Sequence, residues 1–371
     1  METLKLDSGL ARLLDWARSQ RASDLHGRPN REFCVRIDGR LARVPAGISQ
    51  IPGQAEIERL LSEGFSAEVC EQIRSAREFD WSFYHGEHRY RANASKQKGF
   101  QSFSFRHVPQ QRQRLADLNL PNSLKCLMEQ PRGLILATGP TGQGKSTTLR
   151  ALIEEINQTK ALRIITIEDP IEHVFQEAHC EFEQREVGID TASFEDGIRN
   201  AMRQDPNIIF VGEIRDRASI FAAMQAAETG HLVLTTLHAD SVPQAIGRIR
   251  EFYPTSEQNN VSSLLARNLS AVVCQRLLPN TQGTRTPCLE VMKRDFGTQE
   301  AIQTNNLQLL GGIIEAAVGQ GMHSFDQYLY ELLAAGAITE ETARQYAVNR
   351  HRLIMMLRGI FTTTPILVLD R

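Results

Sequence analysis

This 371-residue sequence lacks the features that direct a chain into or across a membrane. No apolar run approaches the ~20 residues that a bilayer crossing needs. The first twenty residues mix acidic with apolar side chains, so we expect no signal peptide. A formal net charge of −2 supplies no global attraction to nucleic acid or anionic lipid, although it is compatible with a local basic patch. We therefore expect a cytoplasmic protein that needs no nucleic-acid partner.

Paired cysteines are missing as well. The six cysteines are scattered, with no C-x-x-C spacing, which argues against a structural zinc site and against a disulfide framework. We expect them to be small buried apolar residues. Aromatic residues make up only 6% of the chain, and the 41% hydrophobic and 23% charged residues are ordinary for a globular protein. The length favours two domains.

The sequence does contain one strong motif, GPTGQGKS. It fits the phosphate-binding pattern G-x-x-x-x-G-K-[ST]. Glycines let the backbone turn so that several N–H groups point at an anion. In this pattern Lys145 reaches the β- and γ-phosphates, and the Ser146 hydroxyl holds Mg²⁺. The predicted contacts to ATP are Gly139, Pro140, Thr141, Gly142, Gln143, Gly144, Lys145, Ser146 and Thr147.

The neighbouring residues favour this interpretation over a glycine-rich turn with an accidental lysine. An apolar run over 134–137 precedes the motif and indicates a buried strand. After it, Leu149, Leu152, Ile153 and Ile156 share one helical face. A strand, a glycine loop and a helix N-terminus together place phosphate at a positive helix end. The sequence therefore predicts a nucleoside triphosphate site.

Residues 1 to 108 are predicted to form a small α+β domain. We expect an amphipathic helix over 3–20 and a hairpin whose turn is Asp38-Gly39. Further strands are expected over 78–95, with a turn at His85-Gly86, and over 99–108, where Phe103 and Phe105 alternate with polar residues. The polar, proline-bounded stretch 109–121 is predicted to be a linker.

Residues 122 to 371 are predicted to form an α/β domain. Strands alternate with helices, which indicates a parallel sheet covered on both faces. From about residue 255 onward we expect mainly helix. The predicted strands are Leu134–Thr138, Ile164–Glu168, Ile208–Val211 and Leu232–Thr236.

Acidic residues follow two of these strands, at the sheet edge where open α/β sheets bind ligands. Glu168 ends one strand, and Asp169 and Glu172 lie just beyond it. These carboxylates could orient a water or hold Mg²⁺ through water, although a solvated acidic turn is the alternative. Glu213 follows the next strand and suits a role in holding Mg²⁺ or polarising the attacking water. Arg215 and Asp216 are expected in a local ion pair or a subunit contact.

Two histidines, His231 and His238, bracket the strand over 232–237. Taken singly, each would be read as a core or capping residue. Because both histidines lie next to a predicted nucleotide site, a functional role is as well supported as a core or capping role. Because His238 lies at the carboxyl end of its strand, it is the preferred sensor of the γ-phosphate.

Four segments in this order, GPTGQGKSTT, IEDPIEH, FEDGIRNAMRQDPNIIFVGEIRD and TGHLVLTTLHADS, resemble the secretion ATPase superfamily. The chain is most similar to its PilT-like type IV pilus retraction ATPases, and ASDLH, RIDGRL, RYRANASKQ and FRHVP extend the likeness into the first domain. The resemblance implies a PAS-like N-terminal domain joined to a RecA-like P-loop ATPase domain. It also implies a homohexamer that acts on an inner-membrane platform protein, at the cytoplasmic face of the inner membrane.

The same resemblance assigns roles to individual residues. Glu168 and Glu213 correspond to the water-activating and metal-linked acids. His231 and His238 correspond to groups that sense the nucleotide or stabilise its closed site. Arg91 and Arg106 match arginines that reach phosphates from the N-terminal domain of the same or a neighbouring subunit. A solvated strand face is the alternative for Arg91. ATP and Mg²⁺ are the implied cofactors.

Some features keep other functions open. The four-cysteine motif and the long N-terminal extension of extension-type relatives are not seen, which favours retraction. The AIRNLIRE-like segment of the family is not recognisable over 292–303, and the tail from Arg350 differs from the usual ending. An accessory pilus motor or a motor for secretion or conjugation is therefore an alternative. A DNA translocase, a small-molecule kinase and a nucleotide-gated adaptor are further alternatives.

Overall fold

The computed structural model describes residues 2–5, 7–37, 40–49, 51–108 and 112–360. The chain forms two compact units. The first comprises Met1–Gln111 with Glu172–Val174, and the second comprises Arg112–Ile171 with Phe175–Arg371. Each unit has a hydrophobic core of its own. No helix among these described residues is long and apolar enough to span a bilayer.

The first unit is an α+β fold built on a mainly antiparallel sheet. Its elements are β1 (Glu2–Thr3), α1 (Gly9–Ser19), β2 (Asp24–Gly27), β3 (Cys34–Ile37), β4 (Arg40–Arg43), α2 (Gln54–Gly64), α3 (Ala67–Ser75), β5 (Glu78–His85), β6 (His88–Gln97) and β7 (Phe100–Val108). The strand order is β1-β5-β6-β7-β2-β3-β4, and only β1 pairs parallel to its neighbour. Phe103 and Phe105 are buried as predicted, and their rings stack at a centroid distance of 4.5 Å.

Two local predictions in this unit have different outcomes. The helix expected over 3–20 begins only at Gly9, because Glu2 and Thr3 pair with β5 and the Ser8 hydroxyl caps the helix by accepting from the N–H of Ala11. The predicted hairpin strands, β3 and β4, do pair antiparallel. The predicted turn of this hairpin, Asp38-Gly39, lies outside the described residues.

The second unit contains a mainly parallel sheet. Its elements are β8 (Gly133–Thr138), α4 (Lys145–Asn157), β9 (Arg163–Glu168), β10 (Glu181–Glu186), α5 (Phe194–Ala201), β11 (Ile208–Val211), α6 (Arg217–Glu228), β12 (Leu232–Leu237), α7 (Val242–Glu251), α8 (Gln258–Asn268), β13 (Leu269–Pro279), β14 (Arg285–Lys293), α9 (Phe296–Gln303), α10 (Leu310–Ala316), α11 (Phe325–Ala334), α12 (Glu340–Tyr346) and α13 (Arg350–Leu357). The strand order is β10-β9-β11-β12-β8-β13-β14, and β14 alone pairs antiparallel. The four predicted strands and their parallel arrangement are confirmed.

The prediction of mainly helix from about residue 255 is wrong for residues 269–293. These residues form β13 and β14, and β13 lies beside β8 within the sheet. Because both faces of β13 are buried, its apolar residues do not alternate with polar ones. Leu269 and Val272 therefore matched a helical spacing although they belong to a strand.

The predicted linker is also different from expectation over its described part, 112–121. Leu115 and Leu120 are buried in the core of the second unit. The Arg112 guanidinium lies 3.4 Å from the buried carboxylate of Glu154 on α4. This part of the stretch is therefore packed against the second unit. Residues 109–111 lie outside the described residues.

Candidate active site

The phosphate-binding motif forms a tight loop between β8 and α4. The strand ends at Thr138 and the helix begins at Lys145. Gly139, Gly142 and Gly144 have φ values of 145°, 77° and 80°, which side-chain-bearing residues rarely adopt. The glycines of the motif are therefore required by the backbone path itself.

Gln275 on β13 holds this loop from the side. Its amide Nε2 donates to the carbonyl of Gln143 at 2.7 Å, and its Oε1 accepts from the Thr148 hydroxyl at 2.6 Å. The Gln143 side chain in turn accepts from the N–H of Leu277 at 2.6 Å. Gln275 was not among the predicted site residues, because the residues around it were predicted to be helical.

We predict that Gly139→Ala disrupts the loop. An added Cβ would lie 2.4 Å from the backbone carbonyl oxygen of Gln275, at a φ of 145°. The free energy of unfolding should fall by about 2–3 kcal/mol, and ATP binding should weaken. Denaturant unfolding and nucleotide titration measure the two effects.

Gly247→Ala is the matched control for this substitution. Gly247 lies within α7, and beyond the backbone of its own helix no atom lies within 4 Å of the place that a Cβ would take. Alanine there should raise the free energy of unfolding by up to about 1 kcal/mol, because it reduces the freedom of the unfolded chain. Equal effects of the two substitutions would contradict the proposed strain at Gly139.

Lys145 lies at the centre of the loop and is largely buried. Its Nζ donates to the carbonyl oxygens of Gly139 and Pro140 at 2.8 and 2.9 Å. Burial lowers the pKa of Lys145, and the nearby carboxylate of Glu213 opposes that shift. The ammonium group is thus held inside the loop, where it can meet a phosphate.

Glu213 and His238 join Lys145 in one cluster. The Nε2 atom of His238 lies 2.9 Å from Oε1 of Glu213, and its Nδ1 lies 3.4 Å from Nζ of Lys145. The three residues come from the carboxyl ends of β11 and β12 and from the start of α4. Parallel strands bring these ends to one edge of the sheet. Both side chains that face Lys145 are partly accessible, with His238 37% and Glu213 23% exposed.

Glu168 is placed differently, because it is almost fully buried at the end of β9. Its Oε1 accepts from the Thr166 hydroxyl at 2.9 Å and from the Gln184 amide at 3.2 Å. Its Oε2 lies 3.6 Å from the guanidinium of Arg150 on α4. Glu168 is therefore held by groups from the sheet and by the helix that follows the phosphate loop.

The other charged residues near these strands form local contacts. Arg215 binds both Glu213, at 3.0 Å, and Asp169, at 2.9 Å, so the local ion pair expected for Arg215 is present. Asp216 instead caps α6 by accepting from the N–H of Ser219. Glu172 groups with the first unit and lies 3.7 Å from Arg91.

His231 is not brought to the cluster. It precedes β12, so it lies at the opposite end of that strand from His238. Its Nδ1 contacts the carbonyl of Ala226 at 3.0 Å and the Thr229 hydroxyl at 3.3 Å. Within one chain these contacts are those of a residue that closes the turn before a strand.

Arg91 and Arg106 lie side by side in the first unit. They are directly opposite each other on β6 and β7, so both guanidinium groups belong to the same face of the sheet. The Nε atom of Arg106 donates to Asp24 at 2.7 Å, while 62% of its side chain is exposed. Burial raises the pKa of Asp24, but hydrogen bonds from Ser23 and Arg106 outweigh it, so the net pKa is lowered.

The residues of the phosphate loop fit a bound nucleotide with its metal. Within the described part of the chain, the N–H groups of Gly142, Gln143 and Gly144 donate no hydrogen bond to another protein group. Free N–H groups before a helix N-terminus form an anion site. Ser146 and Glu213 supply oxygen atoms of the kind that Mg²⁺ takes alongside water and phosphate.

Comparison with known proteins agrees with this site. The Type II/IV secretion system protein family matches residues 105–317. The type IV pilus retraction ATPase PilT of Pseudomonas aeruginosa is 35% identical over 91% of this chain and 98% of that protein. A twitching motility protein of Neisseria gonorrhoeae is 38% identical over 70% of each chain.

The fold agrees as well. The crystal structure of the pilus retraction motor PilT with bound ADP superposes with a TM-score of 0.84, at 36% identity, over 92% of this chain and 97% of that chain. The ATPase DotB of Legionella pneumophila gives a TM-score of 0.78 at 25% identity, over 95% and 96%. The chain therefore belongs to the Type II/IV secretion system protein family and is an ATPase, similar to pilus retraction ATPases over most of its length.

Proposed function

We propose that this chain is the subunit of a motor that hydrolyses ATP to retract a type IV pilus. The observation that carries the proposal is the cluster of Lys145, Glu213 and His238 at the phosphate loop. The likeness to pilus retraction ATPases over nearly the whole chain supports a type IV pilus as the structure that the motor moves. The second unit is then a RecA-like domain, and the first is a PAS-like domain.

The residues of the site have separate tasks in this proposal. The loop N–H groups and Lys145 bind the β- and γ-phosphates, while Ser146 and Glu213 hold the metal directly or through water. When bound, Mg²⁺ neutralises charge on the phosphate oxygens. Glu213 orients the attacking water, and His238, bonded to Glu213, fixes the direction of that carboxylate. Glu168 supports the site through Arg150 on α4.

Arg91 and Arg106 supply positive charge from the first unit. A guanidinium that reaches the γ-phosphate in the transition state can raise the rate by ~10³ or more. Hydrolysis would then depend on closure of the first unit, of the same or a neighbouring subunit, onto the nucleotide. We propose a homohexamer in which this closure changes the angle between the units and moves an inner-membrane platform protein. His231 has a role there only if a neighbouring subunit completes its site.

A genetic experiment tests the cargo. Deletion of the gene should leave cells with more surface pili and without twitching motility, because pili would assemble but not retract. Wild-type protein should restore motility, whereas Lys145→Ala should not. Normal twitching with a defect in secretion or transfer would instead support a secretion or conjugation motor. If the deletion strain twitches normally without mechanical load and stops twitching only when the pili must pull against a load, the result would support an accessory pilus motor.

A further inference from the structure

A buried row of polar side chains lies directly beneath the phosphate loop. Thr138, Cys274 and Glu290 are directly opposite one another on β8, β13 and β14. All three are buried, with Thr138 and Cys274 completely so. Thr138 is the last residue before Gly139, so the row begins at the base of the loop.

The three side chains are cross-strand neighbours in the sheet. The Thr138 Oγ1 and Cys274 Sγ atoms are 2.7 Å apart, and Glu290 lies directly opposite Cys274 on the next strand. Burial raises the pKa of Glu290, while the hydrogen bond from the Val242 N–H opposes that shift.

The far end of the row holds the segment that carries His238. Oε2 of Glu290 accepts from the N–H of Val242, the first residue of α7, at 2.9 Å. Val242 lies four residues after His238. Arg276, on β13, donates to the carbonyl of Asp240 in the same segment at 3.3 Å. The segment 238–241 is therefore tied to the strands beside the phosphate loop.

We propose that Glu290 is a positioning residue that fixes the segment 238–241, so that His238 meets both Lys145 and Glu213. A buried carboxyl group is expensive in free energy, and an apolar side chain would fill this place at lower cost if packing were the only requirement. The inference rests on the proposed ATP hydrolysis. It adds a residue on β14 that holds the backbone just after the histidine.

Steady-state kinetics of full-length Glu290→Met and Glu290→Gln variants test this inference. Methionine has a similar volume but accepts no strong hydrogen bond, so we expect kcat to fall about 10- to 100-fold with KM for ATP nearly unchanged. Glutamine keeps an acceptor for the Val242 N–H and should restore kcat to within about threefold of wild type. If Glu290→Met does not fold, Arg276→Met removes the other bond that holds this segment, the one to the Asp240 carbonyl, and should lower kcat several-fold.

The Asp326→Leu variant distinguishes an effect on the position of His238 from the general loss of stability that follows when a buried carboxylate is removed. Asp326 is another buried carboxylate, which accepts from the N–H groups of Val348 and Asn349 just before α13. It should lower the melting temperature while kcat stays near the wild-type value. Unchanged kcat in Glu290→Met or in Arg276→Met, or an equal loss of kcat in Asp326→Leu, would overturn the inference. An inactive wild-type protein would contradict the proposed function instead.

Discussion

Replacing Lys145 with alanine should reduce Mg²⁺-dependent ATP hydrolysis by about 10³-fold. Its Nζ is the single ammonium group enclosed by the loop carbonyls of Gly139 and Pro140 among the described residues. Burial lowers the pKa of this lysine, so the protein has already partly removed its water shell. A phosphate that enters the loop therefore meets a desolvated charge, whose attraction is stronger than in bulk water.

The measurement is phosphate release at saturating ATP, with Lys160→Ala as the matched control. Lys160 is exposed just after α4 and lies far along the helix from the loop. It should retain wild-type turnover. Light scattering in the presence of ATP should give the same six-subunit mass for both variants and wild type. Undiminished hydrolysis by Lys145→Ala would contradict the assigned site, and a strictly monomeric wild type would contradict the ring.

The convergence of Lys145, Glu213 and His238 could be predicted from the sequence. Each residue follows a short apolar run that indicates a buried strand, and parallel strands end at a common edge. His231 could be separated from His238 in the same way, because the two residues flank opposite ends of β12. Local pattern and the rules of parallel sheets were sufficient for this part of the site.

The supports of the site could not be predicted in this way. Gln275 lies more than 130 residues from the loop that it holds, and its strand, buried on both faces, lacks the alternation that identifies a half-buried strand. The polar edge strand β10, which carries Gln184, shows no apolar alternation either. Such contacts are fixed by sheet order, which a single sequence does not encode locally.

Glu213→Gln should lower kcat by about 10²- to 10³-fold while ATP binding stays within about threefold of wild type. Glutamine keeps the size of the side chain but cannot accept a proton or hold a metal as a carboxylate does. Glu213 is the acid that lies against His238 and influences Lys145. Glu168, enclosed by Thr166, Gln184 and Arg150, faces its supports, so Glu168→Gln should lower kcat only about tenfold.

Single-turnover hydrolysis and binding of a fluorescent ATP analogue distinguish the two acids. Glu228→Gln is the matched control. Glu228 is exposed at the end of α6, and its carboxylate lies 3.8 Å from the guanidinium of Arg267. Exposed ion pairs of this kind contribute little to stability. It should leave both measurements unchanged. If Glu168→Gln abolishes hydrolysis and Glu213→Gln does not, the roles are reversed, and the buried carboxylate beside Arg150 is the group that activates water. The geometry at Lys145 favours Glu213. A general base must reach the water that attacks the terminal phosphate. The carboxylate of Glu213 is partly accessible and lies beside His238 and Lys145, next to the expected place of that water.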